Sequence, residues 1–398
     1  MRFARMETLR TPKHVLGPDM SVPNLTVQAY YEALLGCDEF QKMKFLPREM
    51  WADYLAWFRR VIGIPVQNNT KVTNTTWVAE ENCFHCSVDG QPDFKARLVV
   101  TATGIDGNGQ WTIPPIVTEN GLPKKFYAHT CENINYEALK GKKVGVLGAG
   151  ASAFDNAAVA VESGAAQVHL FNRRPGLVTI NVHRWAEHPG FLGHHADLPD
   201  EYRWKFVKAY LEKGQLPPLD TYRRNTKNPN FHLHHNSPWT SVKQVSDDKV
   251  QVVTPLDTYE FDFLVIGTGF STDLSQRPEL GSLHSNVQLW RDVYTPEKIG
   301  FNSCDEMMLR NPYLGPHFEY LEREKTPDPF LNKVFDFTFG ALVSNGLSGS
   351  SISAMKYSVP RLVRGITQQL YSMDKDKYLS EICNYNEVEL IDVTQKCD

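Results

Sequence analysis

A glycine-rich turn at residues 148–153 is the part of the sequence whose residue types most directly indicate a chemistry. It has the pattern G-x-G-x-x-A, follows the apolar run of residues 144–147 and precedes a helix-forming stretch at residues 154–162. In this pattern Gly148 allows a tight turn, Gly150 lets the backbone approach a pyrophosphate, and Ala153 keeps the helix close to the strand. The pyrophosphate would bind free N–H groups at the positive end of the helix, where Ser152 lies. We therefore expect a dinucleotide to bind at these four residues.

The end of the next strand indicates which dinucleotide. A second strand is predicted at residues 167–171, and Asn172, Arg173 and Arg174 follow it. An NAD site would carry an acidic residue at this point, whereas two guanidinium groups suit the 2′-phosphate of NADP. The prediction is therefore NADPH, bound in part by these three residues. The alternative is a glycine turn in a similar sheet that binds no nucleotide.

Composition narrows the class of protein. With 398 residues the chain should form about two domains, and its net charge of −4 does not favour binding to nucleic acid or to an anionic membrane. No apolar run approaches the roughly 20 residues of a membrane span. The first residues include Arg2, Arg5 and Arg10 but no apolar segment typical of a secretory signal, and a mitochondrial presequence is the weaker alternative. Seven scattered cysteines are typical of reduced thiols, so we expect a cytoplasmic protein with a small-molecule substrate and an undetermined oligomeric state.

Two similar segments, residues 98–104 and 263–269, divide the chain. Each is a β-branched run that ends in Thr-Gly, and each follows an alternating region, residues 71–94 and 241–259. We expect each to be a buried parallel strand that follows a small antiparallel excursion. The second would close the nucleotide domain that opens at Gly148. The first should close another such domain, but no glycine turn precedes it, so its missing neighbours should leave an exposed sheet edge or apolar patch.

The remaining segments carry weaker signals. Residues 25–64 are predicted to be helical, with aromatic side chains in a core, and a helix at about residues 359–371 should follow the Gly/Ser-rich turn 346–351. Residues 175–238 are proline-rich and are predicted to be loop-like; they hold seven of the thirteen histidines, without a recognisable metal-ligand spacing. Cys83 and Cys86 form a C-x-x-C pattern, which we interpret as a strand entering a hairpin rather than a zinc site. No metal is predicted.

Taken together, these residues resemble the flavin-dependent monooxygenases of the two-dinucleotide-domain class, which include flavin-containing, Baeyer–Villiger and N-hydroxylating monooxygenases. The resemblance extends from near residue 1 to near residue 390. The segments that carry it are residues 8–13 (TLRTPK), 101–104 (TATG), 148–153 with Asp155, and 267–270 (GTGF) with Asp273 and residues 277–279 (RPE).

The resemblance implies an α/β fold with two Rossmann-like dinucleotide-binding domains, the NADP domain being inserted into an FAD domain. Residues 1–135 would belong to the FAD domain, without its first βαβ unit, residues 136–275 would bind NADP, and residues 276–398 would return to complete the FAD domain. Thr103, Gly104, Gly267 and Gly269 would then border the cofactors. His129 lies in a shortened form of the family signature F-x-G-x-x-x-H, as a candidate active-site residue or as an ordinary surface histidine.

Three functions are compatible with these features. The first is an FAD- and NADPH-dependent monooxygenase that oxygenates a small organic substrate, such as a secondary metabolite. The second is a degenerate, catalytically inactive relative that binds NADP but cannot hold FAD. The third, a flavin-free reductase, is disfavoured because no Tyr-x-x-x-Lys pair follows the nucleotide turn. Because the FAD pyrophosphate turn is not found, we expect the chain by itself to retain FAD poorly.

Overall fold

The computed structural model describes residues 5–15, 17–18, 20–295, 302–327 and 329–390, which form an α/β structure. The strands, in chain order, are β1 Thr8–Pro12, β2 Phe45–Pro47, β3 Val72–Val78, β4 Cys83–Val88, β5 Gln91–Ala96, β6 Val99–Thr101, β7 Gly109–Trp111, β8 Tyr127–His129, β9 Lys143–Leu147, β10 Gln167–Phe171, β11 Phe231–His234, β12 Ser241–Gln244, β13 Val250–Val253, β14 Thr258–Phe261, β15 Phe263–Ile266, β16 Phe270–Thr272 and β17 Val334–Asp336.

The α-helices are α1 Val27–Leu35, α2 Cys37–Lys42, α3 Arg48–Val61, α4 Pro115–Thr118, α5 Ala151–Glu162, α6 Val182–Ala186, α7 Pro189–His194, α8 Asp200–Lys213, α9 Leu219–Thr226, α10 Trp290–Val293, α11 Ser303–Leu309, α12 Leu342–Asn345, α13 Met355–Met373 and α14 Lys375–Cys383. Short 3₁₀ helices connect several of them. None of the described helices is both long and apolar enough to cross a membrane.

The glycine turn follows β9 of a five-stranded sheet, whose strand order is β11-β10-β9-β15-β8. All its strand pairs are parallel. Val144 and Val146 of β9 are completely buried, as expected for a parallel strand that is covered on both faces. The predicted strand–turn–helix unit and the second strand at residues 167–171 are thereby confirmed. Strand β8 joins this sheet although it lies before residue 136.

Two three-stranded antiparallel sheets, β3-β4-β5 and β12-β13-β14, precede the two similar segments. They confirm the predicted antiparallel excursions. Cys83 and Cys86 both lie in β4, and the turn to β5 contains Gly90 with a φ of 65°. A hairpin position, as predicted, therefore accounts for the C-x-x-C pattern.

Strand β6 pairs in parallel with β17 from the C-terminal part of the chain, with Val99 opposite Val334. Among the described residues no strand covers its other edge. The predicted exposed edge is confirmed, but the prediction that this strand is buried is wrong at Val100, which is 38% exposed. With only one neighbouring strand, the apolar pattern of β6 lacks part of the cover that a wider parallel sheet supplies.

The prediction of a loop-like segment at residues 175–238 is wrong, because α6 to α9 lie there. The prolines that suggested a loop occupy helix starts: Pro189 is in the first turn of α7, and Pro199 and Pro218 immediately precede α8 and α9. Proline is tolerated at these positions because the N–H group it lacks would have no intrahelical acceptor. Trp204 and Val207, one helical turn apart, bury one face of α8.

The helices predicted near the two ends of the chain are confirmed. Helices α1 to α3 lie within residues 25–64 and bury Tyr31, Trp51, Tyr54 and Phe58, so these aromatic rings form a core rather than an exposed stacking surface. Helix α13 begins four residues before the predicted start at 359 and ends two residues after 371.

Candidate dinucleotide site

The turn after β9 contacts the ends of the two neighbouring strands, β10 and β15. Gly148 has a φ of 109°, in the region that favours glycine, and its N–H donates to the Phe171 carbonyl at 3.1 Å. A Cβ atom at Gly148 would lie 2.4 Å from the Gly267 carbonyl oxygen. Only glycine fits at position 148, because the Gly267 carbonyl at the end of β15 leaves no room for a side chain there.

Ala153 sets the distance between α5 and the sheet. Its side chain is fully buried, and a Cβ atom at Gly267 would lie 2.8 Å from the Ala153 Cβ. The Gly267 N–H also donates to the Leu147 carbonyl at 2.8 Å. Small residues at both positions therefore allow helix and strand to approach closely, which is the role predicted for Ala153.

The N-terminus of α5 has the properties of an anion site. Its N-cap is Gly150, which offers no side-chain cap, and its first turn has no acidic residue. The first intrahelical bond runs from the Phe154 N–H to the Gly150 carbonyl at 3.2 Å. The N–H groups of residues 151–153 have no acceptor among the described residues, and Ser152 is exposed. These donors lie at the positive end of the helix dipole, which favours a phosphate.

The turn after β10 presents two cationic side chains. Arg173 and Arg174 are both exposed, and neither forms an ion pair with a described residue. Asn172 is 5% exposed; its Oδ1 accepts from the Arg174 N–H at 3.1 Å, and its Nδ2 donates to the Gly176 carbonyl at 2.9 Å. Asn172 therefore shapes the turn, while the arginines are available to a ligand.

A loop after α8 completes this edge of the site, and the sequence contained no signal for it. A Cβ atom at Gly214 would lie 2.6 Å from an Arg174 Nη, so Gly214 leaves room for the guanidinium group. The next residue, Gln215, places its Oε1 3.9 Å from where a Cβ on Gly150 would be. The loop thus borders both the arginine pair and the glycine turn, although some 60 residues separate it from the turn.

A second group of polar residues lies at the carboxyl ends of β6 and β17. Asp336 is completely buried and accepts hydrogen bonds from Asn108 and from Thr338, whose hydroxyl lies 2.6 Å from Oδ1. Burial raises the Asp336 pKa to about 6. The Ser348 hydroxyl, 1% exposed, has no hydrogen-bond partner among the described residues. Ligands of α/β proteins bind at such strand ends.

Thr103 and Gly104 follow β6 directly. The Thr103 hydroxyl lies 3.5 Å from the Gly107 carbonyl, and Gly104 has a φ of 94°. A Cβ at Gly107 would lie 2.4 Å from the Thr338 side chain, so the turn after β6 packs against the end of β17. The predicted residues therefore fall into two groups: one at α5, β10 and β15, and one at β6 and β17.

Strands β7 and β16 join these two groups. They pair antiparallel, with Trp111 opposite Phe270. Gly269 precedes β16 with a φ of 79°, and its carbonyl accepts from the Thr112 N–H at 3.0 Å.

His129 lies beside this junction, at the end of β8. It is 1% exposed, so the alternative of a surface histidine is wrong. Its ring centroid is 5.3 Å from that of Trp111, and its Nδ1 accepts from the Cys131 N–H at 3.2 Å. Burial lowers the His129 pKa, an effect partly opposed by Glu132 and by the Gly269 backbone. Because Nδ1 accepts a hydrogen bond, the neutral ring carries its proton on Nε2.

Comparison with known proteins identifies the family. A FAD-dependent urate hydroxylase of Xanthomonas campestris pv. campestris is 36% identical over 389 residues, which cover 98% of this chain and 81% of that protein. The chain belongs to the flavin-dependent monooxygenases. The family described as L-lysine 6-monooxygenase/L-ornithine 5-monooxygenase matches residues 39–215.

Solved structures show the same fold. An ornithine N-hydroxylase from Kutzneria sp. 744, with reduced FAD, NADP⁺ and L-ornithine, superposes with a TM-score of 0.68 at 16% identity, covering 92% of this chain and 90% of that one. L-lysine 6-monooxygenase from Pseudomonas syringae gives 0.67 at 17% identity, over 92% and 88%. The resemblance, the fold with two Rossmann-like domains, and FAD and NADPH as the cofactors of these homologues are thereby confirmed. The alternative of an inactive relative receives no support from these comparisons.

Proposed function

We propose that this monooxygenase uses FAD and NADPH to oxygenate a small nitrogen-containing molecule, and that urate is the first candidate. The observation that carries the proposal is the uncapped N-terminus of α5 beside two arginines without ion-pair partners. The urate hydroxylase, similar over nearly the whole chain, supports the choice of substrate. The described cysteines are free thiols, which supports the cytoplasm as the location.

In this proposal residues 136–275 bind NADPH, together with β8, and residues 1–135 and 276–398 form the FAD side. The N–H groups of residues 151–153 hold the pyrophosphate, and Arg173 and Arg174 bind the 2′-phosphate. A guanidinium group binds phosphate through two parallel hydrogen bonds, whereas NADH offers it only hydroxyl groups. The arginine pair is therefore the source of cofactor specificity.

The described residues also suit the ring end of a flavin. Thr103 and Gly104 follow β6, and Ser348 precedes Gly349, which packs against the Phe337 carbonyl just after β17. The Ser348 hydroxyl is buried without a partner among the described residues, which is costly unless a ligand satisfies it. The flavin, when bound, supplies the redox chemistry and the activation of O₂. His129 is neutral and buried at the junction, so we propose that its Nε2 donates a hydrogen bond in the assembled site.

The proposal of NADPH specificity is tested with the double variant Arg173→Ala/Arg174→Ala. Loss of two charge-assisted contacts should weaken NADPH binding about 10- to 100-fold and leave NADH binding nearly unchanged. The measurements are dissociation constants of both nucleotides by fluorescence titration. Arg223→Ala, which removes another exposed arginine of the same part of the chain, is the matched control. An unchanged ratio of NADPH to NADH affinity would show that the arginines do not bind the 2′-phosphate.

The reaction is tested separately, with FAD added in excess. NADPH oxidation and O₂ consumption are measured without substrate and with urate, L-lysine or L-ornithine. We expect urate to raise the rate of NADPH oxidation and to be consumed with it. If L-lysine or L-ornithine raises the rate of NADPH oxidation instead, that amino acid replaces urate as the candidate substrate. No O₂ consumption at saturating FAD would refute the monooxygenase proposal itself.

A further inference from the structure

Three potential metal ligands meet at the start of the β4–β5 hairpin, away from the residues assigned to the cofactors. Glu81 ends a short 3₁₀ helix, and Cys83 and His85 share one face of β4 because they are two residues apart. Asn82, in the left-handed conformation with a φ of 49°, turns the chain so that Glu81 reaches the same face. The Glu81 carboxylate, the Cys83 sulfur and the His85 ring nitrogen all lie within 4.8 Å of one another.

The distances are close to those of a tetrahedral zinc site. Zinc–ligand bonds of about 2.0–2.3 Å place two ligand atoms about 3.3–3.6 Å apart. The Cys83 Sγ lies 3.5 Å from Glu81 Oε2, within this range. The His85 Nε2 lies 2.7 Å from the same oxygen and would have to move outward by about 0.6 Å. Both the His85 and Glu81 side chains are 38% exposed, so this movement meets little resistance.

The charges at the cluster also suit a divalent cation. The Glu81 Oε2 atom lies 2.6 Å from the Lys95 Nζ and 2.7 Å from the His85 Nε2, so this carboxylate already attracts a positive charge. The Cys83 thiol donates a hydrogen bond to Glu81 until a metal displaces its proton. One carboxylate and one thiolate would neutralise Zn²⁺, and imidazole and thiolate are ligands that zinc prefers.

One cation already occupies part of this position. The Lys95 Nζ lies 2.6 Å from Glu81 Oε2, and Lys95 is directly opposite His85 in the hairpin. Its side chain is 61% exposed, and an exposed ion pair of this kind contributes at most about 1 kcal/mol. Lys95 can therefore turn into solvent when a metal binds, at small cost.

We propose that Glu81, Cys83 and His85 bind Zn²⁺, with water as the fourth ligand. Binding breaks the Cys83 S–H bond, forms a zinc–sulfur bond and releases one proton to solvent. The motif is therefore Glu-x-Cys-x-His, and Cys86 of the C-x-x-C pattern is not a ligand, since it packs in the core of the opposite face. The ion would tie the 3₁₀ helix to β4 at the entrance of the hairpin.

The test is titration of the full-length protein with Co²⁺ and Zn²⁺. Co²⁺ should produce one equivalent of a sulfur-to-cobalt charge-transfer absorption band, which Zn²⁺ should abolish, and zinc uptake should release one proton per ion. Cys83→Ser and His85→Gln should each weaken binding at least about tenfold, whereas the matched control Cys86→Ser should bind normally. Lys95→Gln, which removes the competing cation, should bind more tightly.

His85 is partly exposed, so His85→Gln is expected to fold and keeps the test valid even if Cys83→Ser does not. Thermal unfolding with and without Zn²⁺ provides a second readout, because an ion that binds the folded state raises the midpoint. Absence of the charge-transfer band, or zinc binding that is unchanged in His85→Gln, would overturn the proposal.

Discussion

A buried histidine should make the stability of this protein depend on pH. His195 is 1% exposed, packs at the edge of the Phe191 ring, and has its Nε2 3.2 Å from the Val343 carbonyl. Burial lowers its pKa from 6.5 to about 4. The positive charge of Arg203 lowers the pKa further, whereas the hydrogen bond to the Val343 carbonyl raises it. The folded protein therefore keeps this ring neutral in a pH range in which the unfolded chain is protonated.

The sign and size follow from this difference. Between about pH 6.5 and pH 4 the unfolded chain binds more protons at this position, so the free energy of unfolding falls as the pH falls. The full difference between a pKa of 6.5 in the unfolded chain and about 4 in the folded protein corresponds to a loss of about 3 kcal/mol in the free energy of unfolding. At pH 5.5 about 1 kcal/mol of this has been lost. Above pH 7 His195 should contribute no pH dependence.

The assay is urea unfolding at several pH values between 5 and 8, for the wild type and for His195→Gln. The variant is less stable at pH 7.5, but its free energy of unfolding should fall less steeply toward pH 5. The adjacent His194 has a 77% exposed side chain, so His194→Gln is the matched control and should not flatten the slope as His195→Gln does. Equal slopes for wild type and His195→Gln would refute the argument that His195 is held neutral.

Two further predictions concern the nucleotide site. Gly267→Ala should destabilise the protein by about 1–3 kcal/mol, because the new Cβ would lie 2.8 Å from that of Ala153. In a double-mutant cycle measured by urea unfolding, adding Ala153→Gly should recover part of this loss. Strictly additive effects of the two substitutions would contradict a direct contact. Gln215→Ala should weaken NADP⁺ binding severalfold in a fluorescence titration without lowering the thermal midpoint; unchanged affinity would show that the loop does not contact the nucleotide.

Local sequence was sufficient where the interacting groups are consecutive in the chain. The strand, glycine turn and α5 follow one another directly, and the N–H donors belong to residues 151–153, so pattern and spacing were enough to predict them. The hairpins at residues 71–94 and 241–259 were predictable for the same reason, since alternation and turn residues specify a hairpin locally. The family resemblance also rested on short segments, chiefly residues 8–13, 101–104, 148–153 and 267–270.

Segments whose state depends on distant cover were predicted less well. Residues 175–238 looked like a loop because their prolines were not recognised as helix starts. Helices α6 to α8 are stabilised by burial against the return segment, which the local sequence does not show. The apolar pattern of β6 suggested burial, but burial of a strand is decided by the distant elements that pack on it, and Val100 is 38% exposed.

The sequence by itself thus determined the ligand class, because a dinucleotide is held largely by the backbone of one continuous strand–turn–helix unit. Tertiary structure decided what surrounds that unit. It brought Gly267 against Gly148, placed Gln215 over the turn and buried His129 between the two groups of predicted residues. These contacts join residues 60 or more positions apart, or bury a residue under distant segments, and no local pattern encodes them.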